Sequence, residues 1–85
     1  MSAHVYLLRC ADDTLYCGWT TDLDRRVTRH QAGTASRYTR TRLPVELVWS
    51  APADSRSAAL REEARIKRLP RPAKEELIAR TAPRS

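Results

Sequence analysis

Short apolar runs along the chain alternate with segments in which apolar residues recur every three or four positions. The short runs are bounded by turn residues, which is typical of strands, and we predict strands at 4–10, 15–20 and 45–50. Asp12 and Asp13 follow the first run and predict a hairpin turn, because Asp tolerates the left-handed conformation. Pro44 opens the third predicted strand and Pro52 closes it.

The segments with helical spacing predict three helices, whose ends are set by capping residues, glycine and proline. Segment 34–43 is polar and basic, so we predict a loop there. The element order is then β-β-α-β-α-α, an α+β domain. The predicted helices run from a cap at Thr21 or Asp22 to Gly33, from a cap at Asp54 or Ser55 to just before Pro70, and from Pro72 to about Arg80.

A carboxylate interrupts the apolar face of the second predicted helix. A helical period groups Ala59, Leu60, Ala64 and Ile66 on one arc, and Glu63 falls inside it. A buried, unpaired carboxylate is costly or takes up a proton. We therefore expect a cation, a metal ion or a set of hydrogen-bond donors to face Glu63.

The first predicted helix also turns ionisable groups inward. Leu23 and Val27 define its buried side, and Arg26 and His30, one helical turn apart, flank the same arc. Either residue alone is usually structural. Together with a carboxylate and strand tyrosines, they are the groups needed to hold, deprotonate and stabilise a phosphodiester.

Composition narrows the class of partner. The chain has 85 residues, a formal net charge of +6 and a pI of about 10.2, which favours a polyanion such as nucleic acid; a merely solvated basic surface is the alternative. The chain contains neither a signal-peptide pattern nor a membrane-span pattern, so we expect a cytoplasmic protein. Cys10 and Cys17 are expected to be free thiols in strands.

Several motifs resemble those of one enzyme family. The order His4-Val5-Tyr6, Tyr16-Cys17-Gly18, Asp22 to Arg26, His30 and a later helical Glu63 resembles the GIY-YIG endonuclease superfamily. Its short, single-domain bacterial members are the most similar, through segments 7–12, 36–40, 44–48 and 56–61 with Ile66-Lys67. The chain departs from the family at His4 and Val5, at Cys17 and Trp19, and in containing no Asn.

The resemblance implies one nuclease domain over residues 1–85, with a three-stranded antiparallel sheet at its centre. It places Tyr6, Tyr16, Arg26, His30 and Glu63 in the catalytic site. Glu63 would bind a single divalent metal ion, usually magnesium. The implied activity is metal-dependent hydrolysis of nucleic-acid phosphodiesters, of DNA more than of RNA, with either tyrosine as the base. Candidate nucleic-acid contacts are Arg37, Tyr38, Arg40, Arg42 and Lys67.

Two other functions fit the same residues. The domain could be a structure-selective nucleic-acid adaptor with a weak or inactive site, or a basic protein-interaction domain. A shared catalytic site requires Tyr6 and Tyr16 on one face of the sheet. In an antiparallel pair this means that opposed residue numbers sum to an even value, as in Cys10 opposite Tyr16 and Leu8 opposite Gly18.

Overall fold

The computed structural model describes residues 2–80 and has an antiparallel sheet with helices on both faces. Strands β1 (Ala3–Arg9), β2 (Leu15–Thr20) and β3 (Glu46–Ala53) lie in the order β2-β1-β3, so β1 is central. The predicted order β-β-α-β-α-α is confirmed, with one additional helical turn. The helices are α1 (Leu23–Gln31), the short α2 (Arg37–Arg40), α3 (Arg56–Lys67) and α4 (Arg71–Arg80).

The hairpin register places the two motif tyrosines on the same face of the sheet. Tyr6 pairs with Gly18 and Leu8 with Tyr16, so opposed numbers sum to an even value, as predicted. The particular pairs predicted were wrong by two positions. Cys10 already belongs to the turn, since its carbonyl accepts the backbone N–H of Asp13, and it therefore has no partner on β2.

Each face of the sheet packs a separate core. The first face carries Val5, Leu7 and Cys17, which pack against Ala59 and Ile66 of α3. The second face carries Tyr6, Leu8 and half-buried Tyr16, with Leu23 and Val27 of α1 partly buried against them. The helix bearing Glu63 and the helix bearing Arg26 and His30 consequently lie on opposite faces of the sheet.

The apolar arc predicted for α3 is only half correct. Ala59 and Ile66 are fully buried, but Leu60 is 50% exposed and Ala64 is exposed. The helix meets the sheet along a narrow stripe with the spacing i, i+4, i+7, which includes Glu63. Leu60 and Ala64 each follow a stripe position by one residue, and so point about 100° away from it.

Two further predictions, for segments 34–43 and 45–50, were wrong. Segment 34–43 is not all loop, because the Ser36 side chain accepts the Thr39 backbone N–H and caps the helical turn α2. Strand β3 does not stop at Pro52 but continues to Ala53. A proline is tolerated there because β3 is an edge strand, where a missing backbone donor can face away from the sheet.

Local chemistry explains the boundaries that were predicted. Asp22 caps α1 by accepting the Arg25 N–H, and Ser55 caps α3 by accepting the Ala58 N–H. Gly33 ends the α1 region with a φ of 80°, a conformation that favours glycine. Both cysteines are free, as predicted, and buried, but only Cys17 lies in a strand, since β1 ends at Arg9. Within residues 2–80, no helix is sufficiently long and apolar to cross a membrane.

Ion pairs hold α4 against the hairpin turn. Arg9 binds both carboxylate oxygens of Glu75, at 2.7 and 3.0 Å, and also binds Asp13. Arg71 binds the same two carboxylates. Hydrogen bonding by Arg9, and then by Arg71, lowers the pKa of Glu75 to about 2. This network connects the hairpin turn to the last described helix.

Candidate active site

Tyr6 is held between β2 and α1. It lies on the central strand, is completely buried, and faces Gly18 across the hairpin. A Cβ atom at position 18 would lie 2.6 Å from the Tyr6 Oη and 2.7 Å from Cζ, closer than packed atoms approach. The sequence therefore needs glycine at position 18 because the Tyr6 ring occupies the space of a side chain.

His30 connects Tyr6 to the α2 segment. Its Nε2 lies 2.8 Å from the Tyr6 Oη, and its Nδ1 lies 2.9 Å from the Thr39 Oγ1. His30 is 1% exposed and Thr39 is completely buried. Thr39 was not among the predicted site residues; its sequence signal is the Ser36-x-x-Thr39 capping pattern, which points the Thr39 backbone toward the cap.

Burial sets the protonation states of this pair. It raises the pKa of Tyr6 to about 12, and the nearby Arg26 guanidinium opposes the increase. It also lowers the pKa of His30 to about 4, with the positive charges of Arg26 and Arg29 acting in the same direction. At neutral pH the unliganded protein therefore contains a neutral Tyr6 phenol hydrogen-bonded to a neutral His30.

Tyr16 begins a line of ring contacts that runs from His30 to the surface. Its ring meets His30 edge to face at 5.2 Å and lies 5.6 Å from the ring of Tyr38. The Arg42 guanidinium covers Tyr38, at 3.9 Å from the ring centroid. Tyr38 is 37% exposed, so this line of contacts connects the buried pair of Tyr6 and His30 to the surface.

Arg26 is positioned by α1 and lines two adjoining grooves. One groove, of about 200 Å³, is formed by residues 20–22 with Arg25, Arg26 and Arg29. The other, of about 340 Å³, is lined by Trp19, residues 20–21, Arg26 and Arg56. Since Arg56 begins α3, the second groove joins groups from both faces of the sheet around the end of β2.

Glu63 lies on the opposite face of β2 from the tyrosines. Its side chain is 18% exposed, and Lys67 Nζ lies 3.5 Å from its Oε2. The Glu63 backbone carbonyl accepts the Cys17 thiol at 4.0 Å, which places α3 directly over the middle of β2. Among residues 2–80, no hydrogen bond or ion pair joins Glu63 to Tyr6, Arg26 or His30.

The structure thus brings four of the five predicted catalytic residues together. Tyr6, Tyr16 and His30 share ring contacts, and Arg26 is close enough to change the pKa of two of them. Glu63 lies over the edge strand β2 from the other face of the sheet. A ligand must lie along the edge of β2 to contact both sets of groups.

The predicted nucleic-acid contacts differ in whether their cationic groups are already paired within the protein. Arg42 is bound to Asp12 at 3.0 Å and to the Tyr38 carbonyl at 2.9 Å, and Lys67 is paired with Glu63. Arg37 and Arg40 are exposed, line a shared groove beside α2, and form no ion pair within residues 2–80. The last two are therefore the cations of this set that remain available to an anionic ligand.

The donor set for a metal ion is small. Within residues 2–80 there is no group of three or more His, Cys, Asp or Glu side chains arranged to hold a metal. Glu63 is a single partly exposed carboxylate. This suits Mg²⁺, which keeps several water ligands and is commonly bound through one or two carboxylates together with substrate phosphates. A zinc site with four protein ligands does not fit.

The chain belongs to the GIY-YIG family: residues 2–76 match its catalytic domain. This membership supports nuclease chemistry at the level of the family. The α+β fold and the resemblance seen in the sequence motifs are both confirmed.

The similar proteins are small UPF0213 members of this superfamily. The UPF0213 protein of Natronomonas pharaonis is 54% identical over 76 residues, covering 89% of each chain. That of Halobacterium salinarum is 51% identical, covering 88% of this chain and 97% of its own. The NMR structure of the Bacillus halodurans UPF0213 protein has a TM-score of 0.63 and 40% identity, covering 96% of this chain and 87% of that one.

Proposed function

We propose that this protein is a metal-dependent endonuclease that hydrolyses phosphodiester bonds in nucleic acid, with DNA as the preferred substrate. The observation that carries the proposal is the 2.8 Å hydrogen bond between the Tyr6 hydroxyl and the His30 Nε2, next to Arg26. It gives a buried phenol a neutral acceptor for its proton beside a cation able to bind phosphate. Family membership supports the same class of reaction.

Tyr6 is proposed as the general base and Tyr16 as a positioning group. Because Tyr6 is completely buried in the structure, the proposal requires substrate or metal binding to open a path by which water reaches its hydroxyl. A tyrosine can take a proton from water only if its own proton has somewhere to go, and the hydroxyl of Tyr6 is bonded to His30. As water attacks phosphorus, a new P–O bond forms, the water proton passes to Tyr6, and the Tyr6 proton passes to His30. The bond to the leaving oxygen breaks, that oxygen takes a proton from solvent, and His30 later releases its proton.

Arg26 is proposed to hold the non-bridging phosphate oxygens. A guanidinium presents planar, paired donors suited to phosphate. A bound phosphate would also offset the positive charge of Arg26, which now disfavours a protonated His30. Substrate binding should therefore make His30 a better acceptor for the Tyr6 proton than it is in the unliganded protein.

Glu63 is proposed to hold the metal ion, which when bound would act as a Lewis acid on the phosphate. The Glu63 carboxylate is partly exposed, which allows it to coordinate a metal ion. Before an ion binds, the paired Lys67 ammonium supplies a positive charge beside this carboxylate. Arg26 of α1 and Arg56 of α3 both line the larger groove, which supports a path for a nucleic-acid strand over the edge of β2. Such a path would place one nucleic-acid strand within reach of groups on both faces of the sheet.

A second candidate function is nucleic-acid binding without efficient cleavage. Two observations favour it: burial raises the pKa of Tyr6 to about 12, and Glu63 lies across β2 from the tyrosines. A site in this resting arrangement would be slow unless substrate or metal reorganises its charges. The two functions share the arginine contacts and differ in whether strand scission occurs.

Cleavage of a substrate panel tests the proposal. Single-stranded, nicked and branched DNA, with matched RNAs, are incubated with the wild type in Mg²⁺ or in EDTA. We expect Mg²⁺-dependent cuts at internal positions and about hundredfold slower cutting by Arg26→Ala, as expected for loss of a charge-stabilising group. Arg61→Ala, which removes an exposed arginine from α3, is the matched control. Salt-sensitive binding with no cleavage of any substrate would favour the adaptor.

A further inference from the structure

Thr39 is a buried polar residue whose hydroxyl contacts the proposed acid–base pair. It is 0% exposed, and its Oγ1 lies 2.9 Å from the His30 Nδ1, 3.1 Å from the Ser36 Oγ and 3.4 Å from the Ser36 carbonyl oxygen. Together with the bond from Tyr6 to His30, these contacts form one chain of hydrogen bonds from the sheet to the α2 cap.

The direction of this chain follows from the donors and acceptors available. The buried Tyr6 hydroxyl needs an acceptor, and among the described residues this is the His30 Nε2. The nearby Arg26 guanidinium cannot serve, because it only donates. A neutral imidazole that accepts at Nε2 must carry its proton on Nδ1. That proton is then donated to the Thr39 Oγ1.

The Thr39 Oγ1 can accept this hydrogen bond because the proton of the Thr39 hydroxyl has another acceptor. The geometry allows the Thr39 hydroxyl to donate to the Ser36 carbonyl, while the Ser36 Oγ accepts the Thr39 backbone N–H. In the reverse direction, Thr39 would donate to Nδ1 and Nε2 would donate to Tyr6. The Tyr6 proton would then be buried without an acceptor among residues 2–80, which is costly.

We propose that Thr39 is a positioning residue that holds His30 in the Nδ1–H tautomer and leaves Nε2 free to receive the Tyr6 proton. Ser36 supports it from the cap of α2. The α2 segment therefore contributes to the acid–base pair through Thr39, as well as presenting basic groups to a ligand. The assignment of the tautomer rests on the hydrogen bonds alone, whereas its use in catalysis rests on the proposed function.

The tautomer is measured directly in the protein without substrate or metal. Long-range ¹H–¹⁵N NMR spectra at neutral pH distinguish the protonated from the unprotonated imidazole nitrogen of His30. We expect a protonated Nδ1 in the wild type, in Thr39→Ser, which keeps the hydroxyl, and in the control Thr28→Val, an exposed threonine of α1. Thr39→Val, which removes the hydroxyl, should shift His30 toward the Nε2–H form. A wild-type His30 protonated on Nε2 would overturn the proposal. This result comes from the wild type alone, so it does not depend on the folding of any variant.

Kinetics test the catalytic consequence separately. We expect Thr39→Val to lower kcat by about 10²- to 10⁴-fold, as for a base in the wrong tautomer, with KM little changed and activity restored in Thr39→Ser. Wild-type activity in a Thr39→Val protein whose nitrogen signals had shifted would contradict the positioning role. If no substrate is cut by the wild type, the proposed function fails while the NMR assignment of the tautomer still stands.

Discussion

Gly18 and Tyr6 compete for the same space, and this contact predicts a large effect of a single methyl group. In Gly18→Ala the new Cβ would approach the Tyr6 Oη to 2.6 Å and Cζ to 2.7 Å. Because Tyr6 is completely buried, its ring can relieve this clash only by pushing against neighbouring core side chains. Such a displacement also breaks the hydrogen bond between the Tyr6 Oη and His30.

The expected cost combines two effects. Overpacking a filled core costs about 1–3 kcal/mol, and loss of a buried hydrogen bond adds about 1 kcal/mol. We therefore expect Gly18→Ala to lower the free energy of unfolding by about 2–4 kcal/mol. For a domain of this size the melting temperature should fall by about 10 °C or more. Urea titration and thermal melting followed by circular dichroism measure both quantities.

A double-mutant cycle identifies the contact responsible. In a Tyr6→Leu background the ring atoms that oppose Cβ are absent, so Gly18→Ala should cost less than about 1 kcal/mol there. Gly33→Ala is the control, because its penalty comes from a φ of 80° and should be the same in both backgrounds. Equal costs of Gly18→Ala with and without the Tyr6 ring would refute the steric explanation.

Three further predictions concern charge. His30 has a folded-state pKa of about 4 against an ordinary 6.5, so the unfolded chain binds more protons between these values. Stability should fall as the pH drops below about 6.5, by up to about 1.4 kcal/mol per pH unit, and His30→Gln should remove this dependence in urea titrations. Glu75 has a depressed pKa of about 2, so its contribution is present above about 4.5 and is lost as the pH falls toward 2; Glu75→Gln should be less stable than wild type at pH 7 and match it near pH 2. Replacing Arg37 and Arg40 by alanine should reduce the log–log salt slope of DNA binding by about 1.4–1.8. Adding Arg42→Ala should change the slope little, because that arginine is already paired with Asp12. In titrations with labelled DNA, a further decrease in slope as large as that for each of the other two arginines would contradict the distinction between paired and available arginines.

Features fixed by neighbouring residues could be predicted from the sequence. The strand β2, the cap at Asp22 and the end of α1 at Gly33 depend on local spacing and turn chemistry. The shared face of Tyr6 and Tyr16 depends only on the parity of the hairpin register. For the same reason, the inward direction of His30 could be predicted from its distance to Leu23 along the helix.

Features fixed by packing between distant segments could not be predicted in this way. Leu60 has the apolar character of a core residue, but α3 touches the sheet along a stripe too narrow to include it. Thr39 lies in a basic segment without apolar periodicity, and only the fold brings it to His30. Helical spacing predicted that Glu63 points inward, but not that α3 lies on the other face of the sheet from α1.

The most direct test of a nuclease centre is the single-turnover rate of Glu63→Gln beside Glu62→Gln. Glu62 is the adjacent control, a helical carboxylate paired only with Arg65 among the described residues. With Mg²⁺ and the best substrate of the panel, we expect Glu63→Gln to be slower by at least about hundredfold, with an unchanged fold and no Mg²⁺-dependent rise in melting temperature. Glu62→Gln should keep wild-type activity and metal response. A Glu63→Gln protein that unfolds more readily without metal, yet cleaves at the wild-type rate per folded molecule, would contradict the account.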